Sequence, residues 1–288
     1  MKFVIATSFS SLDHLAPIAA AADESGYEML AFSDHVVHPE KIDAPYPYTE
    51  DGTRRWEAFT EWPDPWVTIG YLAGQTSRIR FTTNVFVLAM RNPFIAAKMI
   101  STAATLSNDR VTLTLGVGWS DTEFRLMGQD FRRRGKRTDE MIEILRKVWT
   151  GEMVEHHGEF YDFDKLEMNP APKERIPIWV GGFSDPALKR AARQDGWLSD
   201  LQTTEHIAEC IEKVRGFRAE QGRPGEPFDV MASASDAFEL NGYRRLEELG
   251  VTHIMTMPWM LYGGPTEDLQ QKIDGIRRYA DEVIAKMG

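Results

Sequence analysis

The chain has 288 residues, 42% of them hydrophobic, and a formal net charge of −11 at pH 7. This acidic balance argues against nucleic acid or an anionic membrane as the main partner, and no run of about 18 apolar residues is present to span a bilayer. The single cysteine, Cys210, rules out an intrachain disulfide and fits a reducing, cytoplasmic compartment. Its place in the helical pattern Ile207-Ala208-Glu209-Cys210-Ile211 marks it as a packing residue.

The opening run Met1-Lys2-Phe3-Val4-Ile5-Ala6 is followed by Ser10, Asp13 and His14 too early for a signal core, so residues 3–7 are read as the first strand. Residues 12–25 follow as an amphipathic helix stopped by Gly26. Strand two covers 29–32. After a long connection come a helix at 65–76, strand three at 79–85 and a helix at 94–106. Strand four runs over 111–117, and 135–150 is helical. A hairpin is expected over 154–163, turning near Gly158. Strand five (176–180), a helix (186–194), a very short strand six (196–198) and a helix (205–221) come next. Strands seven and eight fall at 228–232 and 253–257, with helices at 243–249 and 266–287. This alternation implies a parallel sheet with right-handed crossovers. It favours a closed (β/α)8 barrel formed by the whole chain, 1–288, as one domain, with a doubly wound open sheet as the alternative.

Chemistry in parallel α/β proteins collects at the carboxyl ends of the strands. Four such ends carry unusual residues here: Ser33-Asp34-His35, Thr83-Asn84-Val85, Gly116-Val117-Gly118-Trp119, and Trp179-Val180-Gly181-Gly182. Together they imply one active face. Two connections, 36–63 and 119–177, exceed routine turn lengths and are placed to shape a pocket or lid. Trp56, Trp62, Trp66 and Trp119 are read as walls of an apolar pocket, with core packing as the other reading of each. His156-His157 lacks an evident third ligand, so no metal is expected. The run Arg132 to Arg137 is either a solvated helix start or a site for an anion.

Arg91-Asn92-Pro93 with Ala97-Lys98, Leu106-Ser107, Leu115-Gly116-Val117-Gly118-Trp119 and Gly158-Glu159-Phe160-Tyr161-Asp162-Phe163 resembles the bacterial luciferase-like monooxygenase superfamily. So does Ile178-Trp179-Val180-Gly181-Gly182-Phe183-Ser184, continuing through Ala187 to Arg193 and Asp195-Gly196-Trp197. The order and spacing of these motifs cover essentially the whole chain. Ser33-Asp34-His35, Tyr46-Pro47-Tyr48 and Glu50-Asp51-Gly52 are similar to the branch that uses the deazaflavin coenzyme F420.

The resemblance implies a (β/α)8 barrel with an insertion region after strand four and a cofactor ring over the strand ends. It places Asp34 and His35 beside that ring, with Gly118 and Trp119 nearby. Asn84-Val85 matches a position where the family often has a non-proline cis peptide, and Gly181, Gly182, Phe183 and Ser184 match the loop that cradles the cofactor phosphate. Glycines admit backbone N–H groups to a phosphate, and the next helix offers its positive end. The run Arg132 to Arg137 then becomes a landing site for the phosphate and glutamates of F420. Gly116-Val117-Gly118-Trp119 departs from the family spacing. Without a gap, Asp121 falls where one sugar-phosphate dehydrogenase branch carries a catalytic glutamate; with a two-residue deletion, Glu123 matches the commoner pattern instead.

The implied activity is hydride exchange between F420 and a small organic substrate. His35 would move a proton, Asp34 would orient the ring, and Asp121 or Glu123 would supply the second carboxylate. A flavin mononucleotide (FMN) monooxygenase, served by a partner flavin reductase, is the alternative. A non-catalytic flavin-binding barrel is the third reading. The expected assembly is a homodimer.

Overall fold

The computed structural model describes residues 1–42 and 44–287. In chain order its elements begin with β1 (Lys2–Ala6), α1 (Leu15–Glu24) and β2 (Met29–Phe32). Next come α2 (Pro65–Ala73), β3 (Arg80–Thr83), β4 (Phe86–Val87) and α3 (Pro93–Leu106). The helices start where the sequence supplies caps. Asp64 accepts from the N–H groups of Trp66 and Val67, both at 3.0 Å, with Pro65 in the first turn. Asn92 does the same for Phe94 at 2.9 Å, ahead of Pro93. These side chains satisfy amide groups that the first helical turn leaves open.

The middle of the chain holds β5 (Leu113–Gly116), α4 (Asp121–Leu126), α5 (Arg134–Val148) and the antiparallel hairpin β6 (Val154–His157) with β7 (Asp162–Leu166). It continues with β8 (Ile178–Gly181), α6 (Asp185–Ala192), β9 (Gly196–Gln202) and α7 (Thr204–Glu220). The chain then adds β10 (Asp229–Ala234), α8 (Leu240–Leu249), β11 (His253–Thr256) and α9 (Leu269–Tyr279).

Every pair in the main sheet is parallel, in the order β3-β2-β1-β11-β10-β9-β8-β5-β4. β3 and β4 are one barrel strand interrupted at Asn84-Val85, whose peptide bond is cis. The upper piece pairs with β5 through Phe86 and Leu115, and Phe81 bridges to Val111 below the break. The barrel therefore closes, as (β/α)8, with α4, α5 and the hairpin inserted after β5.

Val4, Ala6, Met29, Ala31, Trp179, Leu198, Met231 and Met255 fill the interior. A larger apolar layer, from Ile5 and Leu30 to Leu188 and Ile211, lies between strands and helices. Cys210 is buried in that layer, as its helical pattern implied. Among the described residues, no helix is long and apolar enough to cross a membrane.

Three local expectations change. Strand three is split at residues 84–85. Strand six is longer than three residues and runs through Gly196–Gln202. Helix α4 lay outside the periodicity reading because six residues are too few to show a repeat. Its signal was the capping spacing Ser120-x-x-Glu123, and the Ser120 hydroxyl accepts from the Glu123 N–H at 3.3 Å.

Candidate active site

Parallel pairing carries Ser33, Asn84, Gly118 and Gly181 to the same end of the barrel, each just past its strand or at its last residue. A polar chain crosses that end. The hydroxyls of Ser8 and Ser33 lie 2.6 Å apart, and Ser33 donates to Asn84 Oδ1 at 3.1 Å. Ser8 was not singled out by sequence reasoning, because a lone serine after a strand carries no distinguishing pattern.

Val85 projects into a notch made by two glycines. A Cβ added at Gly116 would stand 2.5 Å from Val85 Cγ2, and one at Gly181 would stand 2.5 Å from Val85 Cγ1. Gly181 is therefore required for packing inside the barrel, whatever else its loop does. Gly116→Val should destabilise the fold by about 1–3 kcal/mol through overpacking. Adding Val85→Ala should restore much of that loss in a thermal melt, and additive losses would show that the notch is not where the strain lies.

Asp34 and His35 part company. Asp34 is buried beneath the mouth, and both its oxygens are taken. Oδ2 accepts from Arg91 Nη1 at 2.5 Å and from the Val87 N–H at 2.8 Å, and Oδ1 accepts from Arg91 Nη2 at 2.6 Å. Burial pushes its carboxyl upward, against the Arg91 guanidinium and the Val87 N–H, which favour the ionised form. Both oxygens of Asp34 are thus engaged within the fold. Its charge is spent on holding β4, just past the Asn84-Val85 break. Arg91 also donates to the Val87 carbonyl at 3.2 Å and lies over the Phe86 ring. The sequence analysis quoted Arg91 within Arg91-Asn92-Pro93 and gave it no role.

His35 stands at the mouth. Its ring packs on Trp56 at 4.6 Å between centroids, on Trp62 at 5.0 Å and near Trp119 at 6.3 Å. Nδ1 lies 3.1 Å from Glu123 Oε2. Glu123 Oε1 accepts from the Val36 N–H at 2.9 Å and reaches that of Val37 at 3.5 Å. Burial alone would raise the Glu123 carboxyl. The His35 hydrogen bond and charge, with the two amides, more than offset it and hold Glu123 below the usual carboxylate range. An ionised Glu123 places the proton of a neutral His35 on Nδ1, which leaves Nε2 as the working nitrogen.

The two carboxylates of α4 have different partners. Glu123 meets His35. Asp121, two residues earlier, turns roughly 200° away around the helix and acts on Arg134 instead. Gly118 takes a positive φ of 80° and its carbonyl accepts from Arg134 Nε at 2.8 Å. Trp119 packs edge-on against Tyr46 at 5.3 Å. Tyr46 also meets Trp56 at 5.3 Å, completing an aromatic box with Trp62. Trp66 is not part of that box: it is 3% exposed and packs on Phe86 from the first turn of α2.

The Gly181–Ser184 turn precedes α6. Gly182 holds φ at 113°, open to glycine and closed to most other residues. Ser184 is the N-cap of α6, yet its hydroxyl makes no cap hydrogen bond. Phe183 leans on Tyr48 and His206. Asp185 puts a negative charge in the first turn, balanced by Lys213 at 3.0 Å. This combination of an open glycine backbone, a free hydroxyl and a helix end suits a phosphate.

The basic run is mostly committed elsewhere. Arg137 is buried and donates to the carbonyls of Ala89 and Asp130. Arg134 is tied to Gly118 and lies over Phe131, and Arg133 pairs with Glu159. Arg132 and Lys136 are the exposed remainder. His156 bonds Glu140 and His157 bonds Asp162, and among the described residues no cluster suits a metal ion.

The family model for luciferase-like monooxygenase matches residues 1–239. The chain belongs to the luciferase-like monooxygenase family. An uncharacterized protein of Mycobacterium tuberculosis is 38% identical over 290 residues, all of both chains. An F420-dependent glucose-6-phosphate dehydrogenase of Nakamurella multipartita is 25% identical over 240 residues, 81% of this chain and 66% of the other. The coenzyme F420 dependent tetrahydromethanopterin reductase of Methanopyrus kandleri superposes with a TM-score of 0.78 at 15% identity, over 100% of this chain and 99% of the other. Enzymes that use FMN also occur among the matches. The barrel is thus that of luciferase-like oxidoreductases.

Proposed function

We propose that this luciferase-like protein is an oxidoreductase dependent on F420, exchanging a hydride with a small organic substrate. The His35–Glu123 pair at the barrel mouth carries the reading. Glu123 orients the imidazole and stabilises its protonated form, and His35 Nε2 takes a proton from the substrate's hydroxyl or returns one to its carbonyl oxygen. The deazaflavin, when bound, supplies the two-electron hydride acceptor or donor. Val85 would back the ring, the Ser8-Ser33-Asn84 chain would offer it polar contacts, and Gly182 and Ser184 would hold the phosphate. The Asp34-His35 sequence and the 25% sequence identity to an F420-dependent dehydrogenase over 81% of this chain support this cofactor.

The test is anaerobic. F420-linked turnover without oxygen supports the reading. Turnover that needs reduced FMN and oxygen, supplied through a reductase, would replace it with monooxygenation. Binding of either cofactor without turnover of any candidate substrate would favour a flavin-binding barrel.

Two further expectations accompany this reading. The tail of F420 would meet only Arg132 and Lys136, so reversing both charges should flatten the salt dependence of F420 affinity, because exposed charges are screened over about 8–10 Å at 0.1–0.15 M salt. An unchanged salt response would remove the tail site. Val67 and Tyr71 on α2 and Ile95 and Leu106 on α3 expose apolar side chains, which supports a homodimer through these helices. Tyr71→Asp should yield monomers by light scattering, and an unaltered mass would reject that face.

A further inference from the structure

We infer that the substrate of the His35 site is a neutral, largely hydrocarbon alcohol or carbonyl compound, and not a phosphorylated or carboxylated one. The inference rests on the proposed active face and narrows what that face accepts. Its first support is the cations around the mouth, which are already engaged. Arg91 is spent on Asp34. Arg55 pairs with Asp200 at 2.8 Å and donates to the Tyr48 carbonyl. Arg54 is held by the Pro39 carbonyl at 2.8 Å, and Arg134 by that of Gly118. A substrate anion at His35 would therefore lose its hydration without gaining a dedicated counter-charge, which is strongly unfavourable.

The second support is the surface that such a substrate would cross. Exposed large apolar side chains recur on the loops after the strand ends: Phe9 after β1, Val36, Val37 and Phe59 after β2, and Met260 after β11. Phe59 is 99% exposed and stands at a positive φ of 68° between Trp56 and Trp62. Backbone strain at a bulky residue that displays its whole ring to water serves no packing purpose. An apolar rim of this kind marks a binding surface.

The third support is the aromatic box itself. Tyr46, Trp56, Trp62 and Trp119 enclose His35 in hydrocarbon and leave few polar atoms. Trp62 Nε1 and His38 Nδ1 are buried without a hydrogen-bond partner among the described residues. Apolar walls with a few convergent polar groups are the usual design of a pocket for a small apolar ligand.

The test uses the full chain without added cofactor, so it does not depend on which cofactor is correct. Intrinsic tryptophan fluorescence is titrated with 2-hexanone, 2-octanone and 2-decanone, and separately with glucose 6-phosphate. Affinity should rise about two- to fourfold per methylene along the ketone series, and glucose 6-phosphate should give no saturable change. Phe59→Ser, at a side chain that packs on nothing, should reduce the gain between octanone and decanone. Equal affinity for all three ketones, or saturable binding of glucose 6-phosphate, would overturn the substrate class. Turnover of glucose 6-phosphate with F420 would overturn it while leaving the cofactor proposal standing. Chain-length-dependent binding combined with turnover only by reduced FMN and oxygen would keep the substrate class and reject F420.

Discussion

His35→Ala should lower turnover by about 10²–10⁴-fold, the usual contribution of a positioned acid or base, while changing cofactor affinity little. The imidazole touches Trp56, Trp62 and Glu123 at the barrel mouth, so the variant should fold. Glu123→Gln should fall in the same direction by a smaller factor. Its amide can still meet Nδ1, but it no longer stabilises an imidazolium. Glu123 is held below the usual carboxylate range in the fold, so its contribution is fully present above the unfolded value of about 4.3 and fades as pH drops through its lower folded value. Glu123→Gln should therefore cost stability at neutral pH and little in strong acid. Full anaerobic activity in His35→Ala would remove the residue from the mechanism, and full activity in Glu123→Gln would show that the pair does not act as a unit.

Asp34→Asn should behave as a stability variant. The substitution preserves shape and strips the charge that balances Arg91, whose side chain is 15% exposed. Breaking one half of a buried pair typically costs about 3–5 kcal/mol, because the remaining charge is left uncompensated. For a chain of this size that corresponds to a fall of roughly 6–15 °C in melting midpoint. Arg91→Ala should fall by a similar amount. Asp34→Leu with Arg91→Met should regain much of the loss, since apolar replacement of both members removes the desolvation cost. An Asp34→Asn protein that melts with the parent, yet binds cofactor poorly, would return Asp34 to the cofactor and contradict the geometry described here.

The sequence by itself determined the strand–helix alternation, the barrel that follows from it and the gathering of its unusual strand-end residues at one end of that barrel. These features are local. Apolar runs such as Met29–Phe32 and Ile178–Gly181, caps such as Asp64 and Asn92, and a helix stop such as Gly26 act over a few residues. Family motifs added His35, the Asn84-Val85 break and the Gly182-Ser184 turn as places to look.

What only the tertiary structure decided is which of these residues meet. Asp34 and Arg91 are 57 positions apart, and His35 and Glu123 are 88 apart. Asp34 and Arg91 follow neighbouring strands, whereas His35 and Glu123 follow strands separated by the β3–β4 strand and meet across the barrel mouth. The choice of Glu123 over Asp121 depends on the rotational phase of a six-residue helix, which is set by the Ser120 cap and the chain's path out of β5. The same is true of Trp66, turned inward by the first turn of α2 while Trp56 and Trp62 face His35. Composition cannot separate these tryptophans, because burial of a large ring is a property of the surface it lands on and not of the residues beside it.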